Sequence, residues 1–515
     1  VNPEMALRLL LVAAGALLVA AVARRRGWPA PLLLVLAGLV ASPLVPPVPL
    51  DSEVVLLVFL PPLLYSAALD SSYLRLREVT RPVALLSVGL VLFTMVVVGY
   101  VVHLLVPALP MAAAFALGAI IAPPDAVAAV AVARRLGLPR RTLTILIGES
   151  LFNDATALTA YRVAIGAATG TVFQLTGAVG QFLYASVVGV VIGVALALVF
   201  GWLLPRLKDA LVENTIMLMI PFGAYLAAEL VHASGVISVV IVGLYLGARM
   251  HRQGFGTRLV ASGVWKMVDF FLETIVFALI GLQLTYVIPK EYTGWQLAGY
   301  ALAVFAAAVV ARFVWVVPTS YLQKSRPPWP NVVIVGWAGM RGVVSLAAAF
   351  AIPEGFEGAD LMIFLTFTTV IGTLLVQGLT FPTLIRRLRV TSENEVYEDN
   401  LGEAAAKQAA IQAGLDALNR QLPPDDELDE ITQDVVGQLR QKTERRAMSA
   451  WERLGGGTAQ GGSETPSALY RRLRGDMLVA EREVFVRLRN ERRIDDEVMR
   501  RMMAELDFEE AILER

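Results

Sequence analysis

Apolar residues dominate the chain as far as about residue 390, interrupted at short intervals by arginine clusters, and then give way to a charged, amphipathic pattern. About 20 apolar residues in a helix cross a bilayer. This rule predicts thirteen segments, near 5–23, 30–48, 51–69, 80–106, 110–133, 142–168, 174–204, 211–231, 234–250, 261–285, 294–321, 331–352 and 358–385. The loops check the count independently. One alternating set carries Arg24 to Arg26, Arg75/Arg77/Arg81, Arg134/Arg135/Arg140/Arg141, Arg206/Lys208, Arg249/Arg252/Arg258, Lys324/Arg326 and Arg386/Arg387/Arg389, whereas the other carries only Lys290. Basic loops stay in the cytoplasm, so the pattern predicts an external N-terminus and a cytoplasmic tail. The first stretch, Met5 to Ala23, is followed by Arg24, Arg25 and Arg26 and reads as a first span, not a cleaved signal peptide.

Two predicted segments are broken. In the fifth, Ala122-Pro123-Pro124-Asp125 removes donors and bars helical backbone before each proline. In the twelfth, Gly336-Trp337-Ala338-Gly339-Met340-Arg341-Gly342 interrupts the helical run. With segment seven as a connector, segments one to six and eight to thirteen form two six-helix units of opposite orientation, each broken at its fifth member. Inverted repeats whose discontinuous helices meet at the midplane are a transporter pattern. The expected fold is therefore an all-α polytopic membrane protein over residues 1–390. Residues 391–515 are expected to form a helical cytoplasmic tail, with a flexible linker near 455–465, where Gly455 to Ser463 is rich in glycine. Thr465-Pro466 beyond it has the form of an N-cap followed by proline at N1.

Composition agrees with this class: 56% of the 515 residues are hydrophobic and mean hydropathy is +0.63. The net charge of zero is a cancellation between a basic membrane part, with 26 basic and 17 acidic residues, and an acidic tail, with 18 and 27. Cysteine is absent, which excludes disulfides and thiol chemistry, and three scattered histidines make no metal-ligand spacing. No phosphate loop or dinucleotide fingerprint, no His-Glu-x-x-His and no nucleophile elbow is present, so neither an enzyme nor a cofactor is expected. No nucleic-acid partner is expected either.

The chemistry concentrates in the sixth segment, where Glu149-Ser150-Leu151-Phe152-Asn153-Asp154 places two carboxylates, an amide and a hydroxyl in an apolar helix. A charge at mid-span costs about 2.5–3.5 kcal/mol on insertion scales, so a membrane chain retains one chiefly to handle an ion or a proton. Glu149/Asn153 and Ser150/Asp154 are i, i+4 pairs, which gathers the four polar groups into one patch. Oxygen-rich patches suit hard cations and protons. A proton and a cation would compete for the Asp154 carboxylate, and such competition combined with alternating access suffices for exchange. Asp125 stands at the fifth-segment break, where freed carbonyls near Pro123 and Pro124 can supply ligand oxygens. Asp154, Asp125 and Ser150 are thus the candidate cation ligands, with the Pro124 carbonyl beside them. Glu149 and Arg341, of opposite sign and both intramembrane, are expected to pair and hold the site's shape. Asn153 is expected to hydrogen-bond across the breaks. Arg162, Glu229 and Asp269 lie near segment ends; Glu273 and Arg312 lie deeper, with a second pair between them left open.

Gly148-Glu-Ser-Leu-Phe-Asn153-Asp154-Ala, Ala122-Pro-Pro-Asp125-Ala-Val-Ala and Gly336-Trp-Ala-Gly-Met-Arg341-Gly-Val-Val-Ser345-Leu together resemble the monovalent cation:proton antiporters, in the branch whose core motif is Asn-Asp. The resemblance covers residues 5–390. It implies a core domain moving against a dimerisation domain in a homodimer in the cell (inner) membrane. It implies that Asp154 carries ion and proton, that Asp125 and Ser150 contribute to the ion site, that Asn153 stabilises it, and that Glu149 and Arg341 form a structural pair. The substrates implied are Na+, K+ or Li+ and protons, and Asn153 in place of a second aspartate implies electroneutral exchange. Many relatives have Thr-Asp-Pro at the first break; here Pro124-Asp125-Ala126 removes the threonine ligand. The competing class is a cation channel without proton coupling.

Overall fold

The computed structural model describes residues 3–513 apart from 27, 29, 44–56, 170–174, 284–286, 323–325, 354–355, 391–392, 423–428 and 453–464. Among these residues the regular structure is helical throughout. The chain divides into two compact units, Val1–Thr391 and Ser392–Arg515.

The first unit opens with α1 (Pro3–Arg26), α2 (Ala30–Ala41) and α3 (Leu60–Leu69). The segments expected near 30–48 and 51–69 run partly outside the described residues. A short α4 (Tyr73–Glu78), capped by the Ser72 side chain, leads into α5 (Thr80–Leu105). The latter contains a widened π turn at Leu85–Leu90, and the Leu85 carbonyl accepts Trp315 Nε1 at 3.0 Å. Next come α6 (Met111–Ile121), α7 (Ala126–Arg135), α8 (Arg140–Ala168), α9 (Leu175–Leu207), α10 (Ala210–Glu229), α11 (Gly235–Ala248) and α12 (Phe255–Gln283). The unit closes with α13 (Gly294–Tyr321), α14 (Trp329–Trp337), α15 (Val343–Phe350) and α16 (Ala359–Leu388). The stretches Thr80–Leu105, Val179–Leu207, Ala210–Glu229, Gly294–Tyr321 and Ala359–Leu388 are each long and apolar enough to cross a membrane.

Packing separates two groups. In one, α5 packs on α6 and α13, α8 on α6 and α7, and α16 on α13 and α15. In the other, α2 packs on α12, α3 on α11, and α9 on α11. The α2–α12 contact needs small residues: a Cβ on Gly38 would stand 2.9 Å from Gly281 Cα, so the two backbones touch where both positions are glycine. The cavity described below lies between the groups, walled by α3 and α12 on one side and by α7, α8 and α15 on the other.

Both predicted breaks are present, at residues 122–125 between α6 and α7 and at 338–342 between α14 and α15. They interlock: the Asp125 amide donates to the Met340 carbonyl at 2.7 Å. A backbone group freed by one break therefore satisfies a group freed by the other, which makes irregular backbone tolerable away from water.

In the second unit, α17 (Glu393–Gln421) packs against α18 (Glu430–Glu452), and α19 (Pro466–Asn490) against α20 (Asp496–Leu513). Thr465 caps α19, accepting from the Ala468 amide, with Pro466 at the first helical position. The expected linker at 455–465 falls outside the described residues except for Thr465. Arg474 bonds Glu509 through Nε and Nη2, both at 2.7 Å, and Glu481 through Nη1 at 2.6 Å.

Candidate functional site

The polar residues of α8 sort by whether the helix can satisfy them itself. Thr144, Thr156 and Thr159 return their hydroxyls to carbonyls four residues earlier. The longer Glu149 and Asn153 reach other elements instead.

Glu149 is 1% exposed and forms a two-pronged ion pair with Arg312 of α13, Nη1 to Oε1 at 2.5 Å and Nη2 to Oε2 at 2.9 Å. This corrects the expected pairing with Arg341. It also settles Arg312, whose partner is not Glu273. Arg312 Nε and Nη2 further donate to the Val335 carbonyl, at 3.1 and 2.9 Å, so the pair ties α8 and α13 to α14 just before the second break. Arg341 stands inside that break and takes the carbonyls nearest to it. Its Nε donates to Ile121 O at 2.9 Å, its Nη1 donates to Gly339 O, and its amide donates to Thr373 Oγ1 at 3.0 Å. Ile121 ends α6, where helix carbonyls lack an intrahelical partner, and a guanidinium supplies the missing donor.

Asn153, fully buried, donates from Nδ2 to the Pro124 carbonyl at 2.6 Å, fastening α8 to the first break. Pro124 is therefore engaged by Asn153, and it does not border the cavity, whereas Pro123 and Asp125 do. Asp154, 6% exposed, borders the cavity together with Ser150 one turn earlier.

That cavity holds about 290 Å³. Asp70 and Arg134, both exposed, lie at its rim, while Asp154, Leu151, Gly342 and Ser345 lie in its buried depth. Asp125 reaches in from the first break, and its carboxylate packs directly over Gly342. The opposite wall carries Ser66 of α3 with Asp269 and Glu273 of α12, and Ser66 Oγ donates to Asp269 at 2.5 Å. Sequence reasoning did not assign Glu273 to this wall, because spacing along one helix says nothing about the helix facing it. The remaining expected intramembrane charges, Arg162 and Glu229, pair with each other at 2.8 and 3.0 Å outside the cavity.

A multi-helix membrane fold with interlocked broken helices, and with carboxylates on an otherwise largely apolar cavity beside them, is the pattern of an ion-translocating class of protein. The family model for the sodium/hydrogen exchanger transmembrane domain matches residues 12–387. The chain belongs to that family and is a multi-pass membrane protein. It is 34% identical to an uncharacterised Na+/H+ exchanger of Mycobacterium tuberculosis, over 94% of this chain and 91% of that one. It is also 34% identical to the Na+/H+ antiporter ApNhaP of Aphanothece halophytica, over 78% and 77%. A sodium, potassium, lithium and rubidium/H+ antiporter of Bacillus subtilis is 31% identical over 69% of this chain and 58% of its own length. Among solved structures, the sodium proton antiporter MjNhaP1 of Methanocaldococcus jannaschii superposes with a TM-score of 0.61, covering 75% of this chain and 99% of that one at 21% identity, a likeness of fold.

Proposed function

We propose that this chain exchanges a monovalent cation, Na+ with K+ or Li+ as alternatives, for protons across the cell membrane. The observation that carries the proposal is the placement of Asp154 and Asp125 on one cavity, at the point where two broken helices lock together. Asp154 is the group for which cation and proton compete. Loading a cation requires the carboxylate to be ionised, and loading a proton leaves no charge for a cation to neutralise, so the two ligands alternate. Asp125 and Ser150 supply further oxygens. Pro124, Asn153, Glu149 and Arg341 hold the breaks around the site, joined in this task by Arg312.

With a single carboxylate carrying either one cation or one proton, each full cycle moves equal charge in both directions. The exchange is electroneutral on this reading. Alternating access follows from the two packing groups, which meet at the cavity and can move against each other. The inverted six-helix repeats and a homodimer are part of the same proposal. So are an external N-terminus and a cytoplasmic tail, which put the cavity rim at Asp70 and Arg134 on the cytoplasmic side.

The test is proton movement in proteoliposomes on addition of Na+, K+ or Li+, with the membrane potential clamped at several values. The proposal predicts cation-dependent proton flux at a rate independent of the clamp. Cation flux without proton movement would identify a channel.

A further inference from the structure

Ser345, the third residue of α15, is 1% exposed, its buried hydroxyl has no hydrogen-bond partner, and the residue borders the cavity that holds Asp154 and Asp125. Its isolation has a local cause. Hydroxyls in membrane helices normally return to a carbonyl three or four residues back, as those of Thr366, Thr368, Thr369 and Thr380 do here. The corresponding residues for Ser345 are Arg341 and Gly342, which belong to the break, so no helical carbonyl lies in position. Buried polar groups are rarely left unpaired, and one that is points to a missing partner. Tyr65, Thr94, Tyr161 and Ser238 also have unpaired buried hydroxyls, but none of them borders the cavity.

The partner's chemistry follows from the neighbours. Asp154 and Asp125, with Asp269 and Glu273 on the facing wall and Asp70 at the rim, suit the cavity to a cation, and a hydroxyl oxygen is a hard, neutral ligand suited to a small monovalent ion. The positive end of α15 does not oppose this, because the Asp125 carboxylate packs over Gly342 at the start of that helix.

We infer that the Ser345 hydroxyl is a direct ligand of the transported cation, an inference that rests on the exchange reading above. A bound ion then draws oxygens from three elements: Asp154 of α8, Asp125 of the first break and Ser345 beyond the second. Occupancy links both broken helices to α8, and replacing the ion by a proton on Asp154 frees Ser345 from that link. Ser345 thereby contributes to cation affinity and selectivity without itself titrating.

The experiment uses the full chain in two assays: Na+-dependent proton flux in proteoliposomes, and the Na+ concentration that raises the thermal midpoint of the detergent-solubilised protein. Ser345→Ala is expected to raise the half-saturating Na+ in both assays by about tenfold, the scale of one contact to a charged group. Its thermal midpoint without Na+ should not fall, since the deleted hydroxyl has no partner to lose. Ser345→Cys, which keeps a side chain of similar size but offers soft sulfur, should weaken Na+ more than Tl+. Unchanged Na+ dependence in Ser345→Ala, or equal weakening of Na+ and Tl+ in Ser345→Cys, would overturn the assignment. Asp154→Asn serves as the control. If the wild type itself shows no cation dependence in either assay, the exchange reading fails and the ligand falls with it.

Discussion

The Asp125 carboxylate occupies the space into which a Cβ on Gly342 would project. One residue belongs to the first break and the other to the second, so the absence of a side chain at 342 sets how closely the two breaks approach. Gly342→Ala forces Asp125 aside, an overpacking strain of about 1–3 kcal/mol. Transport at subsaturating cation should fall about tenfold or more, because that energy comes directly out of ion binding. Gly263→Ala is the matched control, having open space around its position, and should leave the flux unchanged.

The Glu149–Arg312 pair is buried on both sides, at 1% exposure each, so removing one charge strands the other. Glu149→Gln should destabilise the protein by about 3–5 kcal/mol, and Glu149→Gln with Arg312→Gln should recover much of the loss. A double-mutant cycle by thermal unfolding in detergent measures the coupling. A much smaller coupling is expected between Glu149 and Arg341, whose guanidinium is spent on backbone carbonyls. The reverse ranking would contradict the pairing described here.

Asn153 donates to the Pro124 carbonyl, a role that an acid cannot fill when ionised. Asn153→Asp therefore sets two acceptors against each other in a buried place and should cost about 1–3 kcal/mol. A lowered thermal midpoint with the chain still inserted is the expected result. An unchanged midpoint would mean that the Asn153 bond is dispensable.

In the tail, hydrogen bonding to Arg474 holds the Glu509 carboxyl below its ordinary range. A carboxylate with its folded value depressed adds stability that is present above its unfolded value and is lost as pH falls through the folded one. The α19–α20 hairpin should consequently resist proteolysis unchanged from pH 7 to pH 5 and loosen only in stronger acid. Arg474→Ala should raise cleavage near residues 491–495 across that whole range, whereas equal cleavage of wild type and variant would show the cluster to be inert.

The helical class and the positions of both breaks were legible in the sequence, because apolar runs, arginine-bearing loops and the Pro123-Pro124 and Gly339/Gly342 interruptions are local properties. The candidate site was legible as a group of residues on one helix together with Asp125 at the first break, but the wall that faces them was not. Glu149 and Asn153 form one i, i+4 pair and Ser150 and Asp154 the other, and the fold separates them: the first pair fastens α8 to its neighbours while the second borders the cavity. Arg312 was marked as a deep charge with a pair to Glu273 left open, and its partner Glu149 was missed because no sequence rule states that α13 lies against α8 at that level. Arg341 was misassigned because its charge suggested a carboxylate, while the break around it had already exposed the carbonyls that satisfy it.

Cation-driven proton movement in proteoliposomes, compared between wild type and Asp154→Asn, tests the central claim most directly. The account predicts coupled flux in the wild type that vanishes in Asp154→Asn, with the variant still folded and inserted. Coupled flux persisting in the variant would contradict it, since no other carboxylate in the cavity has been assigned the exchange of ion for proton.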